Sequence, residues 1–220
     1  MAGSEEFGWL VAAEVQRRGL DKAQRKAYVC DGLKYNWSIH EMHLLPWGFV
    51  PILDFLHLLA HLYFAAQAGH GKGTQQAWEV YERWLHWAWS GEVQELLKDM
   101  RACSASLGEP PEKCPDDDPR KVLADAVGYV SNNRARMDYA RYRRLGLPIS
   151  SAWVESTIKQ INRRVKGSEK FWLKGGAEAI LQVRAAYLSE DDRAERYWAQ
   201  PRPYARAVGN GRLGRAARAQ

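Results

Sequence analysis

Apolar residues recur with a helical period over most of the chain, and two short stretches break that rhythm. Gly8 to Arg18, "GWLVAAEVQRR", has the helical spacing and stops near Gly19, which suits a helix C-terminus. The run Ala27-Tyr28-Val29-Cys30 is short, apolar throughout and followed by Asp31-Gly32, so it predicts a buried strand with a sharp exit. Gly48 to Leu53, "GFVPIL", predicts a second strand ending on Asp54, with Pro51 arguing for a strand start or a sheet edge.

Beyond Asp54 the period is helical. "DFLHLLAHLYFAAQA" sets Phe55, Leu58, Leu59, Leu62 and Ala66 on one core-facing stripe. "TQQAWEVYERWLHWAW", with Thr74 as N-cap, does the same with Trp78, Tyr81, Trp84, Leu85 and Trp89. "GEVQELLKDMRACSASL" continues with Val93, Leu96, Leu97 and Met100 before the loop "GEPPEKCPDDD". Asp118 then caps a helix with Pro119 at its first position, and one helix, or two broken near Asn132 and Asn133, runs to Arg144. In "AWVESTIKQINRRV" Val154, Ile158, Ile161 and Val165 form an inward stripe, with Glu155, Lys159, Asn162 and Lys166 beside it. A further helix is expected from Ala177 to Leu188. Ser189 and Asp192 resemble a capping box for a last one reaching Trp198, and the Gly-, Pro- and Arg-rich tail from Gln200 is expected to be mobile.

With 46% apolar residues in a chain of 220, a sizeable core is affordable. No stretch approaches the run of about eighteen apolar residues that a membrane span needs, and a cytoplasmic location is expected. Cys30, Cys103 and Cys114 are odd in number and widely spaced, so they make neither a disulfide framework nor a four-ligand zinc site and are expected as reduced thiols. The net charge of +6 is concentrated late: Lys159, Arg163, Arg164, Lys166, Lys170 and Lys174 face one acid, Glu169, and five arginines follow in the tail. Such blocks attract phosphate backbones.

Three groups of residues could carry chemistry. His57 and His61 with Asp54 share a helical face, but Leu58 stands where a zinc protease needs its Glu, so core histidines are the better expectation. The tryptophan-rich helix has core spacing and no cationic groove. The third group is acidic: Asp31 and Asp54 at strand ends, and Glu155 on a late helix beside bases. Carboxylates held on rigid elements suit hard cations, which in pairs about 4 Å apart promote in-line attack on a phosphodiester.

These acids fall in a longer pattern. "YVCDG", then "ILDFLH", then "YARYRRLGLPISSAWVESTIKQINRRVKGSEKFW" and "GGAEAILQVRAAYLS" resemble the C-terminal part of bacterial insertion-sequence DDE transposases, over about Lys26 to Leu188. The resemblance implies an RNase H-like catalytic core, α/β by ancestry but mostly α here, with about two strands and a large helical insertion. It implies a partial core over 1–54, the insertion over 55–148, C-terminal core helices over 149–199 and a basic tail over 200–220. Residue by residue, Asp31 matches the second metal-binding Asp and Glu155 the closing Glu. Asp54 and His57 match an Asp-x-x-His element in a supporting role. Lys159, Arg163, Arg164, Lys166 and Lys170 would lie along DNA.

The implied cofactor is Mg2+ or Mn2+, bound at Asp31 and Glu155, and the implied partners are DNA at transposon ends and either a second copy of the chain or the rest of the transposase. The family's first Asp lies on a strand several dozen residues before the "YVCDG" element. Here only about thirty residues precede Asp31, they read as one helix, and their Asp21 falls in a polar loop. The expectation is therefore a truncated DDE transposase, inactive alone for want of the first Asp. The alternative is a non-catalytic helical DNA-binding or interaction protein that keeps the fold without the chemistry, and a blander one is a globular protein that meets no nucleic acid.

Overall fold

Two strands of four residues, β1 (Ala27–Cys30) and β2 (Val50–Leu53), pair in parallel with Ala27 opposite Val50 and Cys30 opposite Leu53. They form the one sheet in a computed structural model that describes residues 4–163, 165–167, 169–189 and 191–200 and is otherwise helical. Parallel strands need a crossover, usually helical. Here it is α2 (Lys34–Ile39), a π-helical turn (His40–Leu44) and a short 3₁₀ turn ending at Gly48, whose φ of 75° suits a residue without Cβ. A His40 ring nitrogen, Nε2, lies 2.8 Å from the Phe49 carbonyl and closes the crossover on itself. The N-terminal helix α1 (Ser4–Arg17) packs there, with Val15 against Leu44 and Phe49.

So small a sheet is not stable alone and depends on what covers it. Ile52 and Leu53 are wholly buried and join a core built by α3 (Phe55–His70), α4 (Gln75–Ser90), α5 (Val93–Leu107), α6 (Pro119–Asn133) and α7 (Tyr139–Arg144). Leu58, Leu62, Trp84, Leu96, Met100, Leu123, Val130 and Tyr139 fill it. Burial of each such side chain is worth about 1.5–3 kcal/mol before entropy is counted. Two tyrosines reach the strand ends. The Tyr139 hydroxyl donates to the Leu53 carbonyl at 3.0 Å, and the Tyr129 hydroxyl donates to the Asp31 carbonyl at 2.8 Å.

Local chemistry starts the helices where the sequence predicts. Thr74 accepts from the Ala77 amide at 3.1 Å and Asp118 from the Arg120 amide at 2.9 Å, so both are N-caps. The helical region after Pro119 does break at Asn133, and α7 follows with Asp138 as its cap. The stripe expected on α4 is corrected. Ala77, Val80, Trp84 and Ala88 are its buried face, while Trp78 and Trp89 are 45% and 39% exposed. The small Ala77 and Ala88 let neighbouring backbones close in, leaving the wide indoles at the rim, where Trp89 lies under the Arg143 guanidinium at 3.6 Å.

The chain divides into two compact units, Met1–Ala152 and Trp153–Gln220. The first spans both segments expected as core and insertion. In the second are α8 (Ala152–Asn162, from its second residue), α9 (Lys174–Tyr187) and α10 (Arg193–Ala199). The inward stripe expected on α8 is also corrected, because Val154 and Ile158 are 58% and 49% exposed and no residue of this helix is buried. Helical periodicity marks an apolar stripe but not the presence of a cover. The expected capping box does not form either: Asp192 takes a left-handed conformation, φ 53°, with no side-chain cap bond to α10. The tail beyond Gln200 lies outside the described residues. Among the described residues no helix is long and apolar enough to cross a membrane.

Gly32 fixes how the chain leaves β1. Its φ is +90°, and a Cβ there would come within 2.9 Å of both the Leu53 and Tyr129 side chains. Gly32→Ala should cost about 2–3 kcal/mol from backbone strain and overpacking. Urea unfolding followed by circular dichroism checks this, and an unchanged midpoint would contradict the packing described.

Candidate functional site

Parallel pairing places Asp31 and Asp54 next to each other at the C-terminal ends of β1 and β2, and the Asp54 amide donates to the Cys30 carbonyl at 2.8 Å. Their side chains have different fates. The Asp54 carboxylate is fully buried and every bond it makes is local or structural. Oδ1 accepts from the amides of Leu56 at 2.8 Å and His57 at 3.2 Å, which makes Asp54 the N-cap of α3. Oδ2 accepts from the Ser151 amide at 2.7 Å and from the Ser151 hydroxyl. A buried anion survives when its lone pairs are filled and a helix N-terminus faces it. Asp54 meets both conditions. His57 Nδ1 stands 4.0 Å away, and its own side chain is 45% exposed.

Asp31 is half-buried. Its Oδ1 accepts from the Leu33 amide at 3.1 Å and from Asn36 Nδ2 at 2.8 Å, while among the described residues no donor meets Oδ2. The carboxylate is thus oriented by one oxygen and open at the other. Beside it a cleft of about 520 Å³ is lined by Gly32, Lys34, Trp37, Tyr129, Asn132 and Arg136. The Arg136 guanidinium lies 4.3 Å over the Trp37 ring and 3.6 Å from Glu41, and the Trp37 indole donates to Asn133 Oδ1 at 2.9 Å. An open carboxylate oxygen with two cationic side chains nearby can receive a hard cation and an anionic oxygen ligand together.

The remaining expected residues belong to the second unit. Glu155 stands in the first turn of α8. Lys159, Arg163, Lys166 and Lys170 are exposed, and the Lys170 ammonium donates to the carbonyls of Arg163 and Lys166, so it braces the end of α8. Arg164 lies outside the described residues.

No family model matches the chain, and no curated protein or solved structure matches it either. What the site can do therefore rests on its own donors. Asp31 fits a magnesium or manganese ion, since it offers a hard, unpaired oxygen on a braced strand end. Asp54 does not, because taking a metal would strip amides and a hydroxyl of their acceptor. His61 is no metal ligand in this geometry: its ring stacks on Tyr129 with centroids 3.9 Å apart. Burial, and then the nearby His57, hold its pKa below the usual 6.5. Burial likewise pushes the Cys30 thiol up to about 12, so it remains protonated beneath the strand end.

Sequence reasoning misses Ser151, Asn36, Tyr129 and Asn133. Asn36 was within reach, as a carboxamide one turn beyond an Asp-Gly exit, but Tyr129 and Ser151 come from 98 and 97 residues along the chain and carry no local signal.

Asp54→Ala should destabilise the first unit by about 2–4 kcal/mol, since it removes a cap and leaves buried donors unpaired. Ser151→Ala should cost about 1–2 kcal/mol, because the amide bond survives. Equal, negligible losses for both in chemical unfolding would contradict the tether. For His61 the folded pKa is depressed, so the unfolded state binds more protons around and below 6.5, and stability rises with pH through that range and is lost as the pH is lowered. His61→Phe should flatten this part of the stability curve, and an unaltered slope in thermal melts across it would show that His61 does not carry the effect.

Proposed function

We propose that the chain carries the second and third acids of a DDE-type transposase, Asp31 and Glu155, and takes part in metal-dependent cleavage and transfer of DNA strands. The observation that supports this most is the state of Asp31: a carboxylate at a parallel strand end, braced at Oδ1, open at Oδ2 and next to a cleft bearing Lys34 and Arg136. In a two-metal phosphoryl-transfer centre, a bound Mg2+ or Mn2+ supplies charge stabilisation and an activated oxygen nucleophile. The chain's own residues would do the rest. Asp31 would be a ligand of the cation, Glu155 is the further acid that the reading assigns to the chemistry, and Asn36 and Tyr129 would fix the Asp31 side chain and backbone. The Asp54–His57 helix start would keep the strand end rigid. Lys159, Arg163, Arg164 and Lys166 would neutralise the DNA backbone, which favours binding by counterion release.

The RNase H-like ancestry, the transposon-end substrate and pairing with a second copy or further transposase segments belong to the same proposal. No residue of this chain is assigned to the first acid. Two acids hold a divalent ion weakly, so the chain alone is expected to show weak metal binding and little strand transfer. A second reading, a non-catalytic helical DNA-binding or interaction protein, is favoured by one contact: the Asp31 Oδ1 bond to the Leu33 amide serves the turn into α2 and needs no metal.

A manganese titration read by electron paramagnetic resonance separates the two. Weak, saturable binding that disappears in Asp31→Asn is expected for the transposase reading, and identical titrations for both proteins would overturn it. Efficient, Glu155-dependent strand transfer by the chain alone would overturn the expectation of weak activity. Failure to bind duplex DNA even at low salt would overturn the transposase reading and the DNA-binding form of the second.

A further inference from the structure

The stretch joining α8 to α9 holds three consecutive large apolar side chains in water. Phe171 is 93% exposed, Trp172 44% and Leu173 87%. Lone exposed apolar residues are ordinary, but a contiguous group marks a binding surface. Its surroundings are cationic: Lys166, Lys170 and Lys174 flank the three, against the single acid Glu169.

Described residues around the three make contacts of their own. Lys170 ties it back to the carbonyls of Arg163 and Lys166 at the end of α8. Trp172 lines a cleft with Lys170 and with Ile180, Val183 and Arg184 of α9, and its ring lies beside Gly176, where a Cβ would meet Cε3 in ordinary contact at 3.7 Å. The indole is thus partly packed and partly open. An aromatic held this way loses little conformational freedom when something stacks on it.

We propose that Phe171 and Trp172 form a stacking platform for unpaired bases of a DNA strand whose phosphates are held by Lys166 and Lys174. The cations select a polyanion, and the aromatic faces select a ligand with flat apolar faces to offer. In a duplex those faces are already stacked, so the ligand is a single strand or a frayed end. The inference rests on the DNA reading above and narrows its substrate to ends with unpaired nucleotides.

The test uses the full chain, a labelled oligothymidine strand and a blunt duplex of equal length, with binding followed by fluorescence anisotropy at low salt. Phe171→Ala combined with Trp172→Ala should weaken single-strand binding about tenfold or more, the range expected for loss of base stacking. Duplex binding should change by less than about twofold, since phosphate contacts are kept. Phe171→Ala alone, at a position with almost no packing, should reproduce part of the loss with an unchanged thermal melt, and Phe171→Tyr should restore it. Equal losses on both probes, or no loss on the single strand, would overturn the platform while leaving DNA binding intact. A parent chain that binds neither probe would overturn the DNA reading and the platform with it. Binding to phosphatidylserine vesicles that is lost in the double variant while single-strand binding is kept would assign the surface to a membrane instead and overturn the proposal.

Discussion

One buried carboxylate holds the strand-end side of the first unit together. Asp54 closes β2, starts α3 and captures Ser151, so three stretches of chain meet on two oxygens. The Phe55 amide adds a bond to the Ile149 carbonyl at 2.9 Å beside them. An anion without solvent is costly, and the cost is offset only while all its donors are present. That makes the junction cooperative: the end of β2, the first turn of α3 and the 149–151 stretch are ordered together or not at all. Asp31, one strand over, takes its position from this junction through the β1–β2 ladder.

The same division of labour explains why so little sheet suffices. Two four-residue strands supply direction, and the helices supply burial. Tyr129 and Tyr139 pin the carbonyls at the two strand ends from the helical side, and burial raises the pKa of both phenols, so they remain hydrogen-bond donors. Asn133 serves in the same layer, donating to the Tyr129 carbonyl at 2.9 Å and accepting from Trp37. The strand ends are therefore held from behind, by backbone bonds, and the Asp31 side chain is left with one oxygen for other uses. Rigid support with one oxygen left open is what a metal-assisted site would require.

The elements with local causes were legible in the sequence. Both strands, the Thr74 and Asp118 caps, the break at Asn133 and the buried stripe of α5 follow from period, capping chemistry and turn residues. What depends on partners was not. Trp78 and Trp89 share the period of a core face, yet the small Ala77 and Ala88 decide which side of α4 closes against its neighbours. Val154 and Ile158 have the spacing of a buried stripe and lie exposed, since periodicity contains no information about what stands opposite. At the site, Asp31 and Asp54 were recognisable as strand-end acids with different expected roles, but the bond that ties up Asp54 was not legible, because Ser151 comes from a distant part of the chain. Two chemically identical side chains thus acquire opposite roles: one is spent on structure and the other remains open.

Locating a bound ion tests that contrast most directly. Crystals of the chain soaked in manganese should give an anomalous peak within coordination distance of Asp31 Oδ2, with Asp54 still bonded to Leu56, His57 and Ser151. A peak held by Asp54 with Ser151 displaced, or no peak at Asp31 at saturating manganese, would contradict it.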